Sequence, residues 1–171
     1  MQELIQKFKD NAELTTAKVE LVKKPNISQI INELIQDEKN ILVSLNDNSI
    51  LDGLSPSVKL IKTPSNEELK NTRACLTDSI CGIAETGSVV IDNDSDYKSF
   101  LTMLSAKHIV ILSSNNLYEK PRDVFNNKEL LAKSSFSIIT GPSATADMGS
   151  LVRGVHGPEH LYIILVVEDE K

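Results

Sequence analysis

Short, continuous apolar runs bounded by polar turns alternate in this chain with stretches of helical period, and that rhythm leaves few folds open. The runs are Ile41-Leu42-Val43-Ser44-Leu45, Val89-Val90-Ile91, His108-Ile109-Val110-Ile111-Leu112 and Leu161 to Val167. A strand that is apolar at consecutive positions is buried on both faces, as in a parallel sheet covered by helices. Before the first run, Leu4, Ile5, Phe8 and Ala12 recur at helical spacing and predict an amphipathic helix from about Gln2 to Leu14. Ala17 to Val22 alternates small or apolar with polar and reads as a half-buried strand. Ile27, Ile30, Ile31, Leu34 and Ile35 mark one face of a second helix, with Asn26 or Ser28 as its cap. Val58 to Ile61 is a further strand that stops before Thr63-Pro64. The fold class this predicts is α/β, Rossmann-like, with a mainly parallel sheet between helices.

The rhythm continues through the middle of the chain. Arg73 to Leu76 reads as a strand, with Thr77-Asp78 capping a short helix over Ser79 to Ala84. Glu85-Thr86-Gly87-Ser88 is a turn. Asp94, Ser95 and Asp96 cap a helix carrying Phe100, Leu101 and Leu104, and Val124, Leu130 and Leu131 suggest another. Glu168 to Lys171 forms a solvated tail. No linker, composition shift or repeat divides the chain, so residues 1–171 are expected to form one domain.

Composition narrows the function classes. At 171 residues, 40% of them hydrophobic and 25% charged, the chain has the make-up of a soluble globular protein with a sizeable core. A net charge of -6 argues against nucleic acid, whose phosphates demand a basic face. No apolar run approaches the length of a membrane span, and the acidic start Met1-Gln2-Glu3-Leu4 is not a secretory signal. Cys75 and Cys81 form no CxxC pair and have no neighbouring His, so they read as small buried side chains rather than as zinc or iron–sulfur ligands. A cytoplasmic setting, no metal and no cofactor of its own are expected. No Gly-x-Gly-x-x-Gly or Walker sequence is present, and aromatics are scarce, so nucleotide and flavin sites lack their usual signals.

The stretch with most to say about function runs from Ile138 to Pro158. An Ile-rich strand ends in Gly141-Pro142, and Ser143, Thr145 and Asp147 then read as the start of a helix that ends at Gly154. A strand, a glycine turn and a helix N-terminus would leave bare main-chain N–H groups at the carboxyl edge of the sheet, a place that attracts anions. Gly141, Pro142, Ser143, Thr145, Asp147, Arg153 and Gly157 are therefore expected to bind a small organic acid or other anion. Arg153 offers two-pronged pairing with a carboxylate. Asp147 serves the helix start, stabilised by the dipole. His156 either locks its loop through backbone hydrogen bonds or acts as a general acid/base, since its pKa suits neutral pH. His108 and His160 are expected to be structural or exposed.

Cys81-Gly82-Ile83-Ala84-Glu85-Thr86-Gly87-Ser88 and Gly141 to Asp147 through Gly154-Val155-His156-Gly157-Pro158 resemble the LUD domain of lactate-utilization proteins, with the match closest to its small LutC-like branch. The likeness extends from about Arg73 to Val167. It implies the layered fold shared by sugar-phosphate isomerases (the NagB/RpiA type) and coenzyme A transferases. It also implies participation, with separate iron–sulfur protein subunits, in oxidising L-lactate to pyruvate. On the transferase analogy Glu85 would be a carboxylate nucleophile, with Thr86, Gly87 and Ser88 facing the ligand; the simpler reading is a helix end with Gly87 left-handed. Three functions stay open: a non-redox accessory protein that binds a small acid, a self-sufficient acyl transferase or isomerase using Glu85 or His156, and an adaptor that meets a partner through the apolar face of its first helix.

Overall fold

The computed structural model describes residues 1–93, 97–147, 150–154 and 157–168. The chain begins with helix α1 (Gln2–Leu14), strand β1 (Lys18–Val22), helix α2 (Ile27–Ile35) and strands β2 (Asn40–Ser44) and β3 (Lys59–Ile61). Helix α3 (Asn66–Asn71) follows, held at its start by a capping box in which Ser65 Oγ accepts from the Glu68 N–H while the Glu68 carboxylate accepts from the Ser65 N–H. Next come strands β4 (Ala74–Asp78), β5 (Cys81–Ile83) and β6 (Ser88–Asp92), helix α4 (Lys98–Leu104), and strands β7 (Lys107–Ser113) and β8 (Leu117–Tyr118). A 3-10 turn over Pro121–Asn126 leads to the one-turn helix α5 (Lys128–Leu131) and to strands β9 (Phe136–Ile139), β10 (Ala144–Asp147), β11 (Ser150–Arg153) and β12 (His160–Val166).

Six of these strands form one sheet in the order β1-β12-β7-β4-β2-β3, every pairing parallel. The class read from the apolar runs is the class observed. A second sheet, β8-β5-β6-β9, lies over one face of the first and is mostly antiparallel; β10 and β11 make a separate hairpin. Because side chains alternate along a strand, β7 sends Ile109 and Ile111 to one face and Val110 and Leu112 to the other. The first pair meets Ile27, Ile31 and Ile35 of α2. The second meets Ile5, Phe8 and Ala12 of α1 together with Val89 and Ile91 of the small sheet.

Three sequence expectations change. Residues 79–84 are not a helix: Cys81–Ile83 is a fully buried strand. A Cβ on Gly82 would stand 2.7 Å from Leu112 and 2.8 Å from Leu117, so glycine is what lets the two sheets approach there. Residues 143–154 are not a helix either but the hairpin β10–β11, in which Ala144 pairs with Arg153 and Asp147 with Ser150. Finally, the apolar face of α1 is not available to a partner, since Phe8 and Ala12 are wholly buried in the chain's own core. The caps expected at Asp94, Ser95 and Asp96 lie outside the described residues.

Candidate functional site

Two glycine turns meet at the end of α1. Gly87 (φ 65°) and Gly141 (φ 67°) both occupy the left-handed region, and both are pressed against that helix. A Cβ on Gly87 would lie 2.1 Å from the Ala12 nitrogen, and one on Gly141 2.5 Å from the Thr15 carbonyl oxygen. The turns are joined by hydroxyls: Thr86 Oγ1 and Ser88 Oγ are 2.6 Å apart, and Ser88 Oγ is 2.6 Å from Thr140 Oγ1. The structure thus brings together Thr86, Gly87, Ser88 and Gly141, four residues singled out in sequences far apart.

Beside this junction is an open cleft of about 490 Å3 lined by Thr102 and Met103 of α4, by residues 137–145, and by Gly157 and Pro158. Pro142, Ser143, Thr145 and Gly157 all belong to its wall. No charged side chain does among the described residues; hydroxyls of Ser137, Thr140, Ser143 and Thr145 supply its polarity. Arg153 is exposed on the hairpin directly opposite Ala144, one residue from that wall.

The physical basis expected for the site is corrected in three respects. There is no helix N-terminus, because the residues after Ser143 form a hairpin. The Ser143 N–H is not bare but donates to the Pro158 carbonyl at 2.7 Å, and the Ser143 carbonyl accepts from the Gly154 N–H at 3.0 Å. Nor does the turn lie at the carboxyl edge of the parallel sheet. Gly141 packs on Thr15, three residues before β1 begins, and Pro158 stands two residues before β12 begins, so the cleft is at the amino edge.

Glu85 is exposed, and it is not part of the cleft wall. Its backbone N–H donates to the Glu119 carbonyl at 3.0 Å. Its carboxylate faces Lys7, whose ammonium is held above its ordinary pKa by a hydrogen bond to Glu119, against partial desolvation, and further by the charges of Glu119, Glu85 and Glu3. The burial that tunes a nucleophilic carboxylate is absent there. Asp147 ends β10, and His156 lies outside the described residues. His160 is exposed and His108 buried.

What the sequence did not signal is a charged centre at the opposite, carboxyl edge of the sheet. Lys98, at the start of α4, is 3% exposed. Its ammonium lies 2.7 Å from Asp78 Oδ1 at the end of β4 and 3.1 Å from Asp92 Oδ2 at the end of β6. The other Asp78 oxygen accepts from the Asn46 N–H at 2.7 Å, and Lys133 approaches Asp92 at 3.8 Å. Beneath it, His108 Nε2 is 2.9 Å from Thr77 Oγ1, while Nδ1 is buried with no hydrogen-bond partner among the described residues. Burial and, less strongly, the Lys98 charge depress the His108 pKa from 6.5 to about 3, so the ring is neutral. The one available hint was Thr77-Asp78 closing a buried strand, which read equally well as a helix cap. Burial also pushes both thiols, Cys75 and Cys81, up to about 12 and keeps them protonated. Among the described residues no group of His, Cys, Asp and Glu is arranged to hold a metal ion.

Fold and cleft together define a layered α/β protein of Rossmann-like plan with a hydroxyl-lined recess at its sheet's amino edge. The chain belongs to the LUD domain family, whose match covers residues 5–166. Lactate utilization protein C of Deinococcus radiodurans is 30% identical over 109 residues, 60% of this chain and 50% of that protein. An uncharacterized protein of Neisseria meningitidis serogroup B is 26% identical over 113 residues, 64% of this chain and 48% of that protein. The chain thus spans about half the length of these curated relatives. In fold it is similar to a DUF162 family protein from Deinococcus radiodurans, with a TM-score of 0.77 at 21% identity over 96% of this chain and 97% of that one. No helix among the described residues is long and apolar enough to cross a membrane.

Proposed function

We propose that this LUD-domain protein is a LutC-like accessory component of a cytoplasmic, iron–sulfur-dependent system that oxidises L-lactate to pyruvate. In this reading it binds the small hydroxy or keto acid in the cleft beside Gly141. The observation that carries it is the meeting of the two family-like turns through Ser88 and Thr140, next to a recess whose polarity comes from hydroxyls. Thr140, Ser143 and Thr145 donate to the carboxylate and hydroxyl oxygens of the acid, and Arg153 supplies the opposing charge from the hairpin. Thr86, Gly87 and Ser88 hold the turn in place behind it. The electrons of the oxidation leave on an iron–sulfur partner, since the two thiols of this chain are buried and protonated.

The test is a thermal shift with L-lactate and with pyruvate. A ligand present at a hundred times its Kd stabilises the native state by about 2.7 kcal/mol. For a chain of this size that is a rise in Tm of roughly 5–11 °C. Arg153→Gln should abolish most of the rise while leaving the ligand-free Tm unchanged. If neither acid moves the Tm, the acid-binding reading is wrong. If the purified protein turns over an acyl or isomerase substrate alone, and Glu85→Gln or His156→Gln stops it, the stand-alone enzyme reading replaces it.

A further inference from the structure

The cleft beside Gly141 is larger than a three-carbon acid needs. At about 490 Å3 it falls among the clefts of about 300–1,000 Å3 that enclose ligands of drug size. L-Lactate held against one wall would leave the opposite wall to water. The chemistry of the two walls differs, and the difference shows what else the space accommodates.

On the side formed by α4 and β9, the count of hydroxyls overstates what the wall offers a ligand. Thr102 is buried, and its Oγ1 donates to the Ser99 carbonyl at 2.9 Å. Ser137 Oγ accepts from Asn93 Nδ2 at 3.0 Å. A hydroxyl already paired inside the protein gains little from a new partner. The same side carries Met103, 59% exposed, and the half-buried Ile139. The hairpin side is polar: Ser143, Thr145 and Gly157 line it, and Arg153 stands directly opposite Ala144 of the same wall. No charged side chain lines the cleft among the described residues. A second carboxylate or an amino group carried toward α4 would therefore lose part of its water without gaining a charged partner.

We infer that the cleft selects α-hydroxy or α-keto monocarboxylic acids with a branched or aromatic side chain over lactate and pyruvate, and that Met103 sets this preference. The inference rests on the acid-binding reading of the cleft and names the part of the ligand remote from its carboxylate. The carboxylate and the oxygen on the neighbouring carbon lie at the hairpin side, where hydroxyls and Arg153 meet them. The side chain of the acid runs toward α4 and covers Met103 and Ile139. A methionine suits this task, because its unbranched thioether adapts to an aliphatic group and makes favourable contact with an aromatic ring. Each methylene withdrawn from water is worth about fourfold in affinity. Replacing the methyl group of lactate by an isobutyl or benzyl group should then gain about tenfold, since a cleft open to solvent keeps only part of the full burial.

Titration calorimetry with L-lactate, α-hydroxyisocaproate, L-phenyllactate and L-malate tests this. The isocaproate and the phenyllactate should each bind about tenfold or more tightly than lactate, and malate more weakly than both. Met103→Gln keeps the length of the side chain and removes its apolar end, so it should lower that ratio by about threefold or more, while Met103→Leu should preserve it. Phe100→Gln, on the flank of α4 that lines a separate groove with Leu69 and Leu104, should leave the ratio unchanged. Lactate or malate binding as tightly as the two larger acids overturns the inference and leaves the acid site standing. So does a ratio untouched by a folded Met103→Gln variant, or one lowered as much by Phe100→Gln. Tight binding of the larger acids with no detectable binding of lactate upholds the preference and removes lactate alone as the ligand. If none of these acids binds, the acid site is wrong and the preference falls with it.

Discussion

At the scale of single residues the most consequential group is Lys98. A buried ammonium costs several kcal/mol of desolvation, and here two carboxylates from different sheets offset it. Removing the cation alone leaves Asp78 with only the Asn46 N–H, and Asp92 with only the more distant Lys133, against their mutual repulsion among the described residues. Lys98→Met should therefore destabilise the protein by about 3–5 kcal/mol, the usual loss on breaking a buried pair, which is a fall in Tm of roughly 6–20 °C. Adding Asp78→Asn and Asp92→Asn to that variant should recover much of the loss, because the repelling charges are then gone. Thermal and urea unfolding of the single and triple variants measure both. His108 gives a pH signature of opposite origin. Its pKa is lowered on folding, so the unfolded chain binds a proton at 6.5 that the folded chain refuses until about 3. The stability this represents is present above pH 6.5 and is lost as pH falls toward 3, with a slope of up to about 1.4 kcal/mol per pH unit. His108→Gln should flatten the decline between those limits, as read by urea unfolding at a series of pH values.

At the scale of elements, α1 is clamped by the two glycine turns. Gly87→Ala would put a methyl group into the helix backbone at a φ that L-residues avoid, and should cost about 2 kcal/mol or more. Phe8→Ala, in the layer between the sheets, should cost about 3–5 kcal/mol. Denaturant unfolding with m unchanged would show that each acts on stability alone. The same elements show what a linear reading reaches. α1, α2 and the parallel strands were legible because their apolar periods, 3.6 or continuous, are local properties. Ile80, Cys81 and Ile83 were not, since a short apolar run has no period that separates a buried helix turn from a buried strand. Residues 144–153 misled through the strength of one local signal. Ser143, Thr145 and Asp147 are good helix starters, yet only two residues, one of them Gly149, separate the paired Asp147 and Ser150, a hairpin spacing. The α3 capping box, Ser65 with Glu68, was an open sequence signal that the apolar rhythm overshadowed. For the candidate cleft, the glycine turn at Gly141 was visible in the sequence but its edge was not: which end of a sheet a turn occupies depends on strand order.

At the scale of the whole molecule, the two larger sheets share one interior. Ala84, Val89, Ile91 and Leu117 from the small sheet and its turns pack in the same cluster as Val110, Leu112, Leu161, Ile163 and Leu165 from the large one, with Phe8 between them. Lys98 adds an ionic tie from β4 to β6 across the opposite edge. Neither sheet can open without exposing the apolar face of the other, so unfolding in parts would forfeit the shared burial while recovering only part of the chain entropy. The whole chain should therefore unfold in one cooperative step. Calorimetric and van't Hoff enthalpies should agree, and the heat-capacity change should be about 2.1–2.6 kcal/mol/K for a chain of 171 residues. Native-state amide exchange sharpens the test. Val90 in the small sheet and Val110 in the large one are both wholly buried, and their amides should exchange through the same opening free energy. A markedly lower value at Val90 would mean that the small sheet opens by itself, and the shared core would then not be what holds the two sheets together.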